Sequence, residues 1–258
     1  LRLDEETDHD ETVPWLPALA MAAGVALIGA LRASSPWFWP GVGVGTGLVL
    51  WSCSCVLPDG TLRLVPGRRA GIATLLWVCA FFLTLDYLVA PSAHDVLGLT
   101  PTQTGWALTA GGIGWSAVAI ACGARPAREP QAYRRRTMLA AVFFVVGTML
   151  MAVTVLEKAD WWGLPVGYGV ASIGMGLTHL DTMNRIVTDP AEPDGITHAQ
   201  AATAVTIAGA AGGAVLGTAT TAFVAPAAAG VEPGRLWPTL VLLAVGLLLT
   251  PLLARRAA

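Results

Sequence analysis

The chain has 258 residues, of which 55% are hydrophobic and only 12% are charged, and its mean hydropathy is +0.64. A soluble domain usually carries about 25% charged residues, so this composition excludes an ordinary soluble domain and indicates a membrane protein. The formal net charge is −2, but the side of the membrane on which each charge lies matters more than the total.

Eight apolar stretches follow one another along the chain, separated by short connections. A hydrocarbon core about 30 Å thick needs about 20 apolar residues per helix, and most of the stretches have that length. The sequence therefore predicts an all-α membrane protein with eight transmembrane helices. The predicted spans are Trp15–Leu31, Trp37–Leu57, Gly71–Ala90, Thr102–Gly123, Thr137–Leu156, Leu164–Val187, Ala199–Ala225 and Leu236–Leu253.

The positions of Lys and Arg predict the topology, because these residues are enriched in cytoplasmic loops. If both termini of the chain are cytoplasmic, the outside connections contain only Arg32, Lys158 and Arg235, and the other 12 of the 15 basic residues lie inside. The sequence therefore predicts a multi-pass protein with both termini in the cytoplasm. The acidic run within residues 1–14 is interpreted as a solvated cytoplasmic linker.

The sequence gives no sign of a bound metal or cofactor. Cys53, Cys55, Cys79 and Cys122 all lie in predicted spans, at spacings that match no metal site and indicate no disulfide. No phosphate-binding glycine loop is present, and no connection is long enough to form a soluble domain. We expect no cofactor and no nucleic-acid partner, and uphill movement of a substrate would have to use an ion gradient.

The segment GLTPTQTGWALTAGG, from Gly98 to Gly112, resembles the recurrent entry to the second helix of the carboxy-terminal half of major facilitator superfamily transporters. The segments PDGTLRLVPG, SIGMGLTHLDTMNRIV and AATAVTIAGAAGGAVLGTA resemble the loop before that half and its fourth and fifth helices. The resemblance covers about Pro58 to Ala254 and is nearest to the fourteen-helix drug:proton antiporters of actinobacteria. It implies a transporter of a bacterial plasma membrane.

This resemblance also implies a division of the chain. Residues 15–57 would be two additional transmembrane helices, residues 58–70 a cytoplasmic loop, and residues 71–258 a six-helix bundle built from two inverted three-helix repeats. Because the chain opens at Leu1, the amino-terminal six helices of such a transporter are expected to be missing. The expected partners are that missing half, the lipid bilayer, a small-molecule substrate and a proton.

Asp86 is the first candidate for proton coupling. It lies within the third predicted span, in LTLDYLV, with no basic residue near it in sequence. Ionisable residues within a membrane span are costly and are often functional, and burial can bring a carboxyl group into the range where it exchanges protons near neutral pH. The resemblance supports this role, since the family often has an acidic residue near this point. A static hydrogen-bonding role is the alternative.

His179 and Asp181, in GLTHLDTMNR, form the second candidate cluster for proton coupling. An unperturbed histidine titrates close to neutral pH, which suits a proton-binding role. Asp181 and Arg185 are four residues apart on one helical face. They therefore also fit a structural ion pair at the membrane edge, and His179 also fits a packing residue.

Several aromatic and polar residues are candidates for the wall of a substrate cavity. Aromatic rings and uncharged polar groups suit amphiphilic organic substrates, particularly cations that can lie over a ring. Such residues in membrane spans also commonly face lipid or a neighbouring helix. The predicted substrate-binding residues are Phe82, Tyr87, Gln103, Trp106 and Trp115.

A stripe of small residues in the seventh span predicts close helix packing. Gly209, Gly213 and Gly217 recur every four residues, a pattern that lets two helix backbones approach each other in a membrane. The stripe fits static packing, and it also fits helices that rock against each other during transport.

The function that these expectations favour is proton-coupled secondary active transport, with export of amphiphilic drugs or other small organic molecules. Two alternatives remain open: a nutrient uptake symporter, and a non-transporting membrane scaffold or accessory subunit. An enzymatic function is not expected, because Asp86 and Asp181 are predicted in opposite halves of the bilayer and no catalytic motif surrounds them.

Overall fold

A computed structural model describes residues 15–188, 190, 193–225 and 230–257. Over these ranges the chain forms nine α-helices and one π-helical turn, and all eight predicted spans are helical. The predicted acidic linker at residues 1–14 lies outside the described residues. The helices are α1 (Trp15–Ala30), α2 (Phe38–Val56), α3 (Arg68–Pro91) followed by the π-helical turn (Ser92–Val96), α4 (Pro101–Ala124), α5 (Pro130–Glu157), α6 (Gly163–Val187), α7 (His198–Val224), α8 (Pro233–Leu248) and α9 (Thr250–Ala257).

Six helical segments among the described residues are long and apolar enough to cross a membrane: α2, α3 with its π-helical turn, α4, α5, α7, and α8 together with α9. The protein therefore has the architecture of an all-α, multi-pass membrane protein, as the sequence predicts. Two predicted spans do not meet this criterion. Helix α1 has 16 residues, about 24 Å of helix, and α6 is the more polar because it contains His179, Asp181 and Arg185.

Helices α3 and α6 lie at the centre of the bundle. Helix α3 packs mainly on α7, and α6 packs on α4 and α5; the two central helices also contact each other, as do α5 and α8. Exchange of α3 with α6, α4 with α7, and α5 with α8 maps the α3–α7 contact onto the α4–α6 contact, but it matches the extensive α5–α6 contact with a much smaller one between α3 and α8. The central position of α6 explains how its polar residues are shielded from lipid despite its lower hydropathy.

Glycines allow the closest helix crossings. A Cβ atom on Gly147 of α5 would lie 2.3 Å from the backbone nitrogen of Ala171 and 2.4 Å from the carbonyl oxygen of Gly167, both in α6. On α7, a Cβ on Gly212 would lie 2.6 Å from the carbonyl oxygen of Leu76 in α3. Backbone approach of this kind favours helix association where lipid provides no hydrophobic driving force.

Helices α1 and α2 form a hairpin that packs on α7. Their backbones cross at Gly24 and Gly45, where a Cβ on either glycine would lie 2.6 Å from the carbonyl oxygen of the other. The Ser52 hydroxyl donates a hydrogen bond of 2.7 Å to the carbonyl oxygen of Pro17. This bond places the start of α1 beside the end of α2.

Basic residues gather at one end of the bundle, which we call the arginine-rich end. Helices α3 and α5 begin there, and α4, α6 and α9 end there. Arg32, Lys158 and Arg235 lie at the opposite end. The direction in which the bundle crosses the membrane stays a prediction. The arginine-rich end carries Arg68, Arg69, Arg125, Arg128, Arg134, Arg135, Arg136, Arg185, Arg255 and Arg256.

Candidate functional site

Asp86 lies inside the bundle, against α6. Its carboxylate oxygen Oδ1 accepts a hydrogen bond from the hydroxyl of Tyr168, and its side chain is half-buried. Within the described ranges the carboxylate forms no ion pair. Among the described residues, the polar partner of Asp86 is therefore a neutral hydroxyl and not a cation.

Aromatic rings from three other helices pack on Phe82, one turn from Asp86. Phe82, one turn before Asp86 on α3, stacks on Tyr168 with ring centroids 6.0 Å apart and meets the edge of Trp115 at 5.8 Å. Phe144 of α5 lies 6.1 Å from Phe82. We call Phe82, Trp115, Phe144 and Tyr168 the aromatic cluster. Stacked and edge-to-face ring contacts stabilise a protein interior by more than the burial of their apolar surface alone.

The cluster continues from Trp115 to His179. The two rings meet edge to face with centroids 5.5 Å apart, and His179 is half-buried. Because α6 rises about 1.5 Å per residue, His179 lies about 16 Å along the helix axis from Tyr168. The two titratable groups Asp86 and His179 therefore lie at the two ends of one aromatic cluster.

Glycines of α4 make room for Tyr168 in this arrangement. A Cβ on Gly111 would lie 2.0 Å from the ring atom Cε1 of Tyr168, and a Cβ on Gly114 would lie 2.6 Å from the carbonyl oxygen of Gly169. The absence of side chains on Gly111 and Gly114 thus lets α4 approach α6 closely enough to hold the Tyr168 ring against Phe82.

Three predicted substrate-binding residues lie away from the aromatic cluster. Tyr87 is 47% exposed, and its ring covers Gly217 on α7, where an added Cβ would lie 2.3 Å from Cδ2. Gln103 closes the first turn of α4: its side-chain oxygen accepts hydrogen bonds of 2.9 Å from the backbone nitrogen and the hydroxyl of Thr100. Trp106 is 58% exposed on the surface of α4.

Asp181 lies at the arginine-rich end rather than beside Asp86. It forms an ion pair of 2.7 Å with Arg136 of α5 and accepts a hydrogen bond of 3.1 Å from the backbone nitrogen of Ala127. Its side chain is 1% exposed. A buried carboxylate paired in this way serves to fasten the connection between α4 and α5 to α6, and its charge is already balanced.

The expected ion pair between Asp181 and Arg185 is wrong, because the tertiary fold gives each residue a different partner. Arg185 donates hydrogen bonds of 3.2 Å and 3.1 Å to the carbonyl oxygens of Ala127 and Arg128. Its guanidinium carbon also lies 4.4 Å from the centroid of the Tyr133 ring. The loop carbonyls thus draw Arg185 toward the α4–α5 connection.

The predicted glycine stripe contacts α3 at two of its three positions. Added Cβ atoms on Gly213 and Gly217 would meet the side chains of Leu83 and Tyr87 within 3 Å, whereas a Cβ on Gly209 would meet nothing within 4 Å. Gly213 and Gly217 therefore take part in the packing of α7 on α3, and Gly209 faces open space.

Sequence reasoning missed Tyr168. It lies in a segment of small residues, GYG, which looks like packing material in the sequence. The available signal was its hydroxyl group, since a tyrosine within an apolar span usually finds a hydrogen-bonding partner, and Asp86 is an acidic residue of the neighbouring helix. Only the packing of α3 on α6 shows that the two side chains meet.

The fold and these contacts define an α-helical, multi-pass membrane protein with an interior carboxylate beside an aromatic cluster. No protein-family model and no curated protein matches the chain.

Proposed function

We propose that the chain is the carboxy-terminal portion of a proton-coupled secondary transporter of the major facilitator type, located in a bacterial plasma membrane. Its proposed activity is the export of amphiphilic organic molecules. The observation that carries this proposal is the Asp86 carboxylate, which lies within the bundle, accepts a hydrogen bond from Tyr168 and forms no ion pair with any described residue. An ionisable residue kept inside a bundle without a counter-ion is a functional feature by default.

The contacts among the helices support the transporter assignment. The exchange of α3 with α6, α4 with α7, and α5 with α8 maps the α3–α7 contact onto the α4–α6 contact and leaves the α3–α6 and α5–α8 contacts unchanged. The α5–α6 contact is matched by smaller contacts of α3 with α8 and α9. Under the proposed topology α3 and α6 cross the membrane in opposite directions, so the two groups of three helices form inverted repeats, an arrangement common among secondary transporters.

The proposed mechanism is a competition between a proton and a cationic substrate for the Asp86 carboxylate. When Asp86 is deprotonated, its charge attracts a cationic amphiphile, and the rings of Phe82 and Tyr168 offer apolar and cation–π contacts beside it. When a proton binds to Asp86, that attraction is lost and the cation is released. Proton and substrate then occupy the site in turn, which couples inward movement of one to outward movement of the other.

Alternating access also needs a second bundle facing the site. Helix α4 buries only Ala107, Gly111 and Cys122 among its residues, and it exposes Thr109 and Ser116 in mid-helix. Polar groups at such positions favour contact with protein or a water-filled cavity over contact with lipid. We therefore propose that the amino-terminal half of the transporter covers this face, and that substrate binds between the two halves near the midplane.

The proposal is tested by substitution of Asp86 in vesicles that contain the complete transporter. Ethidium serves as the amphiphilic cation, and its uptake into inverted vesicles and the accompanying proton movement are followed by fluorescence. We expect Asp86→Asn to abolish movement driven by the proton gradient, because the amide cannot bind and release a proton. We expect Tyr168→Phe to lower the rate roughly tenfold, since a hydrogen bond to a charged group is lost.

Asp160→Asn is the matched control, because Asp160 is exposed in the α5–α6 connection and its substitution removes the same charge elsewhere. The variants must migrate as the unaltered protein does in gel filtration. Undiminished gradient-driven transport by the Asp86→Asn variant would overturn the coupling role. An unaltered protein that moves no ethidium would overturn the assignment to amphiphilic cations.

A further inference from the structure

A cavity of about 420 Å³ lies between the end of α1 and the helices α3 and α7. It is at the end of the bundle opposite the arginine-rich end, and it is separate from the aromatic cluster. Small residues dominate the α1 and α7 walls, which is why these helices leave a space. The cavity is lined by Gly29, Ala30, Leu31, Arg32, Tyr87, Gly217, Thr218, Thr221, Ala222 and Ala225.

Three of the four polar side chains that line the cavity have no hydrogen-bonding partner among the described residues. In the described part of the chain, the guanidinium of Arg32 makes no ion pair, and the hydroxyls of Thr218 and Tyr87 make no hydrogen bond. Thr221 differs, because its hydroxyl donates a bond of 2.8 Å to the carbonyl oxygen of Gly217. No carboxylate lines the cavity. One cation and two hydroxyl groups with no carboxylate beside them favour an anionic ligand.

Arg235, at the same end of the bundle, is a cation whose charge and hydrogen-bond donors have partners within the protein. It forms an ion pair of 2.7 Å with Glu232, donates to the carbonyl oxygen of Phe223, and lies over the ring of that residue. Within the part of the chain that the structure describes, Arg32 has none of these contacts, and its side chain is exposed. The difference indicates that Arg32 is available to a ligand rather than held by the protein.

The position of the cavity selects the kind of anion. It lies where α1 ends, a few residues before Trp37 and Trp39, which are 71% and 68% exposed, and exposed tryptophans mark the level of the lipid head groups. The rest of the lining is apolar, with Leu31, Ala222 and Ala225 beside the donors. Such a site can bind a charged lipid head group through Arg32 and the hydroxyls, and the attached acyl chain through its apolar surface.

We propose that this cavity binds the phosphate head group of an anionic phospholipid. The phosphate lies against Arg32, Thr218 and Tyr87, and the acyl chain follows the surface formed by α1 and α7. Because the ligand touches both α1 and α7, it holds the α1–α2 hairpin against the bundle. This lipid site does not depend on the transport activity proposed above.

The test uses the purified full chain in detergent, with dioctanoyl phosphatidylglycerol as the anionic lipid. Binding is measured by native mass spectrometry and by the lipid-dependent rise in the unfolding temperature. We expect dioctanoyl phosphatidylglycerol to bind and stabilise the protein more than dioctanoyl phosphatidylcholine or inorganic phosphate does. We expect Arg32→Ala to weaken its binding roughly tenfold, because a charge-assisted hydrogen bond to phosphate is lost.

Two further variants test whether binding needs the open volume of the cavity and whether it depends on the position of the positive charge. Ala222→Leu leaves Arg32 in place but fills the cavity, so it should also reduce the amount of bound lipid. Lys158→Asn removes a charge at the same end but outside the cavity and should change nothing; asparagine tolerates the positive φ of 47° found at this position.

Any one of three results would overturn the proposal. Equal binding of the two lipids would show that the negative head group is not recognised. Equal stabilisation by inorganic phosphate would assign the cavity to a soluble anion. Unchanged binding of phosphatidylglycerol by the Arg32→Ala variant would place the lipid elsewhere on the protein.

Discussion

At the residue scale, the interior carboxylates Asp86 and Asp181 have opposite environments although both lie within helices. Asp181 is paired with Arg136 and almost fully buried, so its charge is balanced and its position is fixed. Asp86 accepts a hydrogen bond from Tyr168 and forms no ion pair within the described ranges. A proton or a cationic ligand would neutralise an unbalanced charge at Asp86, whereas at Asp181 it would have to displace Arg136, which is why the proposed coupling rests on Asp86.

A third acidic residue, Asp194, fastens the α6–α7 connection to the start of α3. The Arg68 guanidinium donates two hydrogen bonds to the Asp194 carboxylate and a third, of 2.7 Å, to the carbonyl oxygen of Ile196. Arg69 donates to the carbonyl oxygen of Asp194 itself. The hydrogen bond from Arg68 is the main reason why the pKa of Asp194 is lowered to about 2.

This contact predicts a pH-dependent contribution to stability. The pKa of about 2 in the folded protein lies below the unfolded value of about 3.9. The contribution of Asp194 to the free energy of unfolding is therefore complete above about pH 5 and is lost as the pH falls to about 2 and below. We expect Asp194→Asn to cost about 1 to 2 kcal/mol at pH 7, measured by thermal unfolding in detergent.

The difference between the Asp194→Asn variant and the unaltered protein should shrink below about pH 5 and become small near pH 2. Asp160→Asn, at an exposed loop position, should show no difference at either pH. A difference that persists unchanged at pH 2.5 would contradict the ionic account of this contact.

At the scale of helices, glycine contacts decide how closely α5 and α7 approach the central pair. Gly147 of α5 faces the backbone of α6 directly, whereas Gly209 of α7 faces open space. The regular spacing of glycines in α7 predicts that Gly209 lies at a close helix contact. The closest approach to the backbone of α6, however, is at Gly147, which is not part of a glycine stripe. Sequence spacing shows which glycines share a face, and it does not show which face meets a neighbour.

We expect Gly147→Ala to destabilise the bundle by about 3 kcal/mol, because the added methyl group would overlap backbone atoms that cannot move independently. Gly209→Ala is the matched control. It should leave stability unchanged or raise it by up to about 1 kcal/mol, since alanine has the higher helix propensity. Both are measured as shifts in the unfolding midpoint of the purified protein, and equal effects of the two substitutions would contradict the crossing geometry.

At the scale of the whole molecule, the described basic residues divide unequally between the two ends of the bundle. The arginine-rich end carries the connections that start α3 and α5, and the opposite end carries Arg32, Lys158 and Arg235. Because Lys and Arg are retained on the cytoplasmic side, we propose that the arginine-rich end and both termini face the cytoplasm.

The proposed orientation is tested by labelling single cysteines in intact cells. In a variant with Cys55→Ser, which removes the exposed native thiol, a cysteine is introduced at Asp160 or at Glu129, two exposed positions at opposite ends. A membrane-impermeant maleimide should label the cysteine at position 160 before the cells are opened and the cysteine at position 129 only afterwards. The reverse pattern would invert the topology.

The positions of the helices were determined by the sequence alone. Apolar stretches in a bilayer must satisfy their backbone hydrogen bonds internally, and they do so as helices; every predicted span is accordingly helical in the described residues. Asp86 also stood out in the sequence, because a single acidic residue in an apolar span is visible without knowledge of its neighbours.

The partners of the polar side chains were decided by the tertiary structure. Asp181 meets Arg136 rather than Arg185, Asp86 meets Tyr168, and Arg32 faces a cavity formed by three helices. Local periodicity identifies neighbours three or four residues apart, whereas these contacts join residues far apart in the chain. They depend on which helices pack together and on how each is rotated about its axis, and small residues such as Gly111 and Gly147 set those approaches.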